Sequence, residues 1–131
     1  MRTAIAVAVG GALGALVRYG LSLALNAPGD GAFPAATFAA NIAGSLLIGL
    51  LGGRPAIRRL PEAWREFMGT GCLGGFTTLS AFGAETVRLA ESGHALMALV
   101  YASASIAAGL VAAVSGRALA QAGVRTRRDA T

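Results

Sequence analysis

The chain has 131 residues, 55% of them hydrophobic and 13% charged, with 19 glycines, one cysteine and a formal net charge of +5. Soluble domains carry about 25% charged residues, so this composition argues against disorder, a disulfide scaffold and most soluble enzymes. All 11 positive charges are arginines, and they fall between long uncharged stretches. That distribution belongs to the ends of membrane segments rather than to a nucleic-acid surface.

From Thr3 to Val17 there is no charge, and only Arg18 intervenes before Asp30. A hydrocarbon core about 30 Å thick needs roughly 20 helical residues, so a first span is expected over about 3–26. Arg2 followed by Ala and Val resembles the start of a secretory signal, but the apolar run continues past Ala15 to Leu25 and is read as a retained span. Asn26-Ala-Pro-Gly-Asp-Gly is a turn cluster. A second span covers 33–53. Gly53 to Glu66 then carries two prolines and four arginines, with room for a short interfacial helix around Trp64. The third span runs over 67–88 and the fourth over 95–117, and a tail occupies 120–131, polar and frayed from Val124 to Thr131. The expected fold is an all-α membrane protein, a single four-helix transmembrane domain over 1–131. Small residues repeat at four-residue spacing (Gly10 with Gly14, Ala40 with Gly44, Gly49 with Gly53, Gly71 with Gly75), which lets helices approach closely in lipid. Four short helices enclose little, so an oligomer is expected.

Enzyme signatures are poor. His94 sits in a short loop beside Gly93, Cys72 is alone, and Gly10, Gly11 and Gly14 miss the spacing of a dinucleotide loop. Polar residues inside the spans carry more, because each is costly there unless paired or lining a watery path. Thr37, Asn41 and Ser45 follow at i, i+4 and share one helix face. The Asn41 amide carries two N–H donors, which suit either an anion or an interhelical hydrogen bond. Tyr101, Ser105 and Gly109 form a similar stripe on the fourth span. In the third span Gly74-Gly75 and Thr77-Thr78 weaken the helix near mid-membrane, where irregular backbone is tolerated only when buried in protein or lining a cavity. Carbonyls freed there suit a hard cation such as Na⁺. Phe76 and Phe82 flank the break, and a ring edge is a weak anion contact. Glu85 and Arg88, three apart, read as an end-of-span pair. Arg18 either snorkels or draws anions into a vestibule.

Three ordered motifs, Gly10-Gly-Ala-Leu-Gly-Ala-Leu-Val-Arg18-Tyr19, Asn41-Ile-Ala-Gly44-Ser45 and Gly74-Gly75-Phe-Thr77-Thr78-Leu-Ser80-Ala-Phe82, together resemble the CrcB/Fluc fluoride-channel family over essentially the whole chain. The resemblance implies four-helix subunits paired as an antiparallel dimer with two fluoride pores and a single structural, untransported Na⁺ at its centre. It assigns the Na⁺ ligands to the backbone carbonyls of Gly74 and Thr77, the pore-lining amide to Asn41, and one pore phenylalanine to Phe82. The family's other pore phenylalanine falls at position 79, here Leu79, and a threonine common after the serine is here Ala81. Ser80, Tyr101, Ser105 and Thr37 complete the candidate fluoride path, with Arg18, Thr78 and Glu85 as vestibule or structural residues. The implied activity is passive export of fluoride from the cytoplasm across the plasma membrane, with no enzyme chemistry and no nucleic-acid partner.

With four spans, nine arginines (2, 54, 58, 59, 65, 117, 125, 127 and 128) share the side of the termini, against Arg18 and Arg88 near the other. That bias fixes one orientation, with the termini cytoplasmic. It implies a heterodimer with an oppositely oriented paralogue rather than a homodimer inserted both ways. The alternatives are a small multidrug or cation exporter of the four-helix dimer type, which needs a membrane-embedded carboxylate, and a non-transporting structural membrane protein.

Overall fold

A computed structural model describes residues 1–25 and 31–128. Among these the chain is helical with no strand: α1 (Arg2–Leu25), α2 (Ala35–Gly53), α3 (Pro55–Arg58), α4 (Glu62–Glu66), a π-helical segment (Phe67–Leu73), α5 (Gly74–Phe76), α6 (Leu79–Glu91) and α7 (Ala95–Arg128). The turn cluster expected at Asn26–Gly31 lies outside the described residues except for Gly31, whose φ of +80° is tolerated because glycine has no Cβ.

Three of the helices are long and apolar enough to cross a membrane: α1, α2 and the Ala95–Gly123 part of α7. Their surfaces fit that solvent. Ile5, Leu16, Leu23, Leu96, Leu99, Ile106, Leu110 and Leu119 are all exposed, an arrangement that water would penalise. The third expected span is not one helix. Glu62 to Phe76 winds continuously as α4, the π segment and α5, stops at Thr77 and Thr78, and resumes as α6. Thr77 (ψ 156°) and Thr78 (φ −151°, ψ 121°) are extended. Neither half is long enough to span alone. That break was expected from the glycines and threonines there; α7 is what differs, continuing to Arg128 where a frayed tail was expected from Val124, because Ala, Leu, Gln and Arg are good helix formers and no proline interrupts them.

Packing follows the small residues. α2 lies along α7 in the most extensive helix pair, and α1 lies along the π segment and α5. A Cβ on Gly14 would fall on the Cys72 carbonyl oxygen, and one on Gly75 would fall on that of Gly11. A Cβ on Gly49 would meet the Ala113 carbonyl, and one on Gly116 that of Leu46. These contacts are backbone against backbone, the close approach that small residues permit in lipid. The aromatic core gathers around Tyr101, which is fully buried. Phe33 meets it edge-on at 5.4 Å and Phe82 lies tilted at 5.3 Å.

Candidate functional site

The two polar stripes read from the sequence face one another. Successive residues at i, i+4 share a helix face, so Thr37, Asn41 and Ser45 on α2 stand opposite Tyr101, Ser105 and Gly109 on α7 along the main helix contact. Below their upper rung, Asn41, Ser45, Ser105 and Gly109 line an open cavity of about 290 Å³ together with Thr77, Thr78, Leu79 and Phe82. Ser45 and Gly109 were not singled out as pore residues from the sequence, although the stripe periodicity contained both.

At the upper rung, Thr37 Oγ1 donates to Glu85 Oε1 at 2.8 Å and the Tyr101 hydroxyl donates to Glu85 Oε2 at 2.7 Å. The expected Glu85–Arg88 pair is therefore corrected. Glu85 turns inward to two hydroxyls, while Arg88 lies on the exposed face of α6. The physical reason is that a half-buried carboxylate needs charge-assisted hydrogen bonds, and α2 and α7 each supply one.

At the lower rung Asn41 grips the helix break. Its Nδ2 donates to the Thr78 carbonyl at 3.0 Å, and its Oδ1 accepts the Thr78 amide at 2.8 Å. One of its two N–H donors remains. Thr78 in turn caps α6: its Oγ1 accepts the Ala81 amide at 3.1 Å, the usual N-cap bond of a threonine. Thr77 hooks back to the Leu73 carbonyl through both its amide and its hydroxyl, each at 2.9 Å. Its methyl fills the space left by Gly44 of α2. Ser105 stands apart: its hydroxyl is buried and has no hydrogen-bond partner.

Ser80, Arg18 and Gly74 are not among the residues that line the cavity. Ser80 is exposed, with its hydroxyl 3.2 Å from that of Thr78. Arg18, half-buried on α1, donates from Nε to the Gly75 carbonyl at 3.3 Å. Leu79 is 82% exposed at the cavity rim, whereas Phe82 turns in toward Tyr101. Gly74 is exposed and Thr77 half-buried at the break. His94 is an exposed loop residue and Cys72 a free, half-buried thiol. No group of three or more His, Cys, Asp or Glu is placed to hold a metal among the described residues.

The arrangement can accept a small anion. The cavity presents an unsatisfied hydroxyl, a spare amide N–H and an aromatic ring, and no carboxylate lines it among the described residues. A family model described as "CrcB-like protein, Camphor Resistance (CrcB)" matches residues 5–117. The chain is 48% identical over 111 residues to "Fluoride-specific ion channel FluC 2" of Bacillus subtilis (strain 168), covering 85% of this chain and 82% of that protein. It is equally 48% identical over 111 residues to "Fluoride-specific ion channel FluC" of Methylobacterium nodulans, covering 84% and 89%. To the protein of the same name from Flavobacterium psychrophilum it is 40% identical over 122 residues, covering 92% and 98%.

Proposed function

The chain belongs to the CrcB-like family, and from that premise we propose that it is a fluoride-specific ion channel, passively exporting fluoride from the cytoplasm and so limiting its toxicity. The observation that carries the reading is Ser105, a buried hydroxyl without a partner lining the same cavity as Asn41. An unpaired buried hydroxyl costs about 1–3 kcal/mol, which an anion in the cavity would recover. Fluoride is small and strongly hydrated, so its path must replace water with closely spaced donors. The Ser105 hydroxyl, the free Asn41 N–H and the Ser45 hydroxyl supply them, with Phe82 lining the same cavity. A narrow path of this kind disfavours larger anions by size. The Glu85 carboxylate is occupied by Thr37 and Tyr101, so it is not the open carboxylate that the cation-exporter alternative needs.

Two halves of a broken helix, α4–α5 and α6, together make the third of four spans in this reading, and two chains assemble as an antiparallel dimer in the plasma membrane. Na⁺ takes neutral oxygen ligands readily, and the carbonyls of Gly74 and Thr77 fit it: neither accepts a hydrogen bond among the described residues. Each subunit would supply two such carbonyls, and the ion's contribution is to hold the subunits together without being transported. The arginine bias, nine against two, supports a fixed orientation with cytoplasmic termini and a related partner inserted the other way. Leu79 in place of the family phenylalanine is tolerable in such a pair, where the partner supplies part of the pore wall.

Fluoride efflux from liposomes, with Na⁺ present or replaced, tests the reading. Flux that requires Na⁺ is the expected result. Absence of flux from the chain alone and from its mixture with an oppositely inserted relative refutes the channel. Equal labelling of single terminal cysteines from both faces of the membrane refutes the fixed orientation.

A further inference from the structure

The break between α5 and α6 is made by side chains that take two amides away from their carbonyls. In an uninterrupted helix the amide of residue 78 would close on the carbonyl of 74, and the amide of 81 on the carbonyl of 77. Here the Thr78 amide goes to Asn41 Oδ1 at 2.8 Å and the Ala81 amide goes to Thr78 Oγ1 at 3.1 Å. The carbonyls left without these amides are those of Gly74 and Thr77. Of the carbonyls around them, that of Phe76 likewise accepts no hydrogen bond among the described residues, whereas two others are engaged. The Leu73 carbonyl takes two bonds from Thr77, at 2.9 Å each, and the Gly75 carbonyl takes Arg18 Nε at 3.3 Å. An unclaimed carbonyl at membrane depth is costly unless something else engages it.

We infer that the side chains of Asn41 and Thr78 are the positioning residues of the cation site, diverting the Thr78 and Ala81 amides so that the carbonyls of Gly74 and Thr77 remain free for Na⁺, and that Asn41 thereby builds the cation site and the anion cavity with one amide group. The inference rests on the Na⁺ reading proposed above. Asn41 reaches the two sites with different atoms. Its Oδ1 and one N–H hold the backbone of Thr78, and the second N–H is left for the cavity that Asn41 lines. Cation binding and fluoride conduction then depend on the same side chain without any ion touching both.

The test is the Na⁺ dependence of thermal stability of the purified channel, titrated against N-methylglucamine at constant ionic strength. Thr78→Val keeps the shape but loses the oxygen that holds the Ala81 amide, which can then return to the Thr77 carbonyl. Asn41→Ala similarly returns the Thr78 amide to Gly74. Both variants are expected to need about tenfold more Na⁺ for half-maximal stabilisation, the change produced by loss of one net hydrogen bond. Thr78→Ser, which keeps the oxygen, retains the wild-type midpoint, and so does Ser105→Ala, which alters the cavity alone. If Asn41→Ala does not fold, Thr78→Val decides the matter. A wild-type midpoint in Thr78→Val overturns this inference and leaves the cation reading standing. A wild-type protein indifferent to Na⁺ overturns both.

Discussion

Replacing Ser105 with alanine separates a conducting role from a structural one, because the residue contributes no internal hydrogen bond. Its hydroxyl is buried and unpartnered, so in the empty protein it is a liability of about 1–3 kcal/mol. Alanine removes that liability and leaves a gap of one atom on the wall of a cavity of about 290 Å³. Stability should be unchanged or improve by about 1 kcal/mol. Conduction should move the other way. A hydrogen bond to a charged group contributes about 1.5–3 kcal/mol, which corresponds to roughly 10–150-fold in fluoride affinity at that point of the path. Electrode-monitored efflux from proteoliposomes should therefore fall by about tenfold or more, while thermal unfolding in detergent holds or rises. Ser103→Ala is the control, since that hydroxyl is exposed and bonded back to Leu99 at 2.8 Å. Unchanged efflux in Ser105→Ala, or efflux lost together with the fold, would refute the donor role.

Three further outcomes are expected. Gly14→Ala drives a methyl onto the Cys72 carbonyl, whereas Gly11→Ala meets nothing within 4 Å. The first should lose about 1–3 kcal/mol or more to overpacking, and the second should be neutral or gain from alanine's better helix propensity; matched melting temperatures would contradict the α1 packing. Tyr101→Phe removes the 2.7 Å bond to Glu85 and keeps the ring contacts with Phe33 and Phe82, so a loss of about 1.5–3 kcal/mol is expected, and an unaltered melting curve would show that Glu85 gains nothing from that hydroxyl. Leu79→Phe adds an aromatic ring at an 82% exposed rim position. It should leave the subunit's stability alone and raise fluoride efflux, and flux equal to wild type would mean that position 79 faces no conducting path.

The elements that could be read from the sequence were those whose signal is local. The stripes Thr37–Asn41–Ser45 and Tyr101–Ser105–Gly109 repeat at one helical turn, so their shared faces follow from spacing, and the break follows from glycines and threonines concentrated within a few residues. What Asn41 does with its amide was not legible in that way. Its partner is the backbone of Thr78, 37 residues along the chain, and backbone groups leave no mark in a sequence. The π segment over Phe67–Leu73 was equally hidden: it packs closely against α1, where Gly10 meets Gly71, a long-range contact that no local spacing announces.

Glu85 shows how tertiary packing overrides a local rule. A Glu–Arg pair three apart on a helix contributes only about 0.2–0.5 kcal/mol, and solvent competes for both partners at a span end. Inside the bundle the same carboxylate collects two charge-assisted bonds, from Thr37 across 48 residues of sequence and from Tyr101 across 16. At about 1.5–3 kcal/mol each, they outweigh the near neighbour several-fold. Spacing rules therefore hold for side chains that stay on the surface of their own helix. A carboxylate within reach of the bundle interior goes to whichever facing helices bring hydroxyls to the same depth, and here those are the upper rungs of the two stripes that line the cavity below.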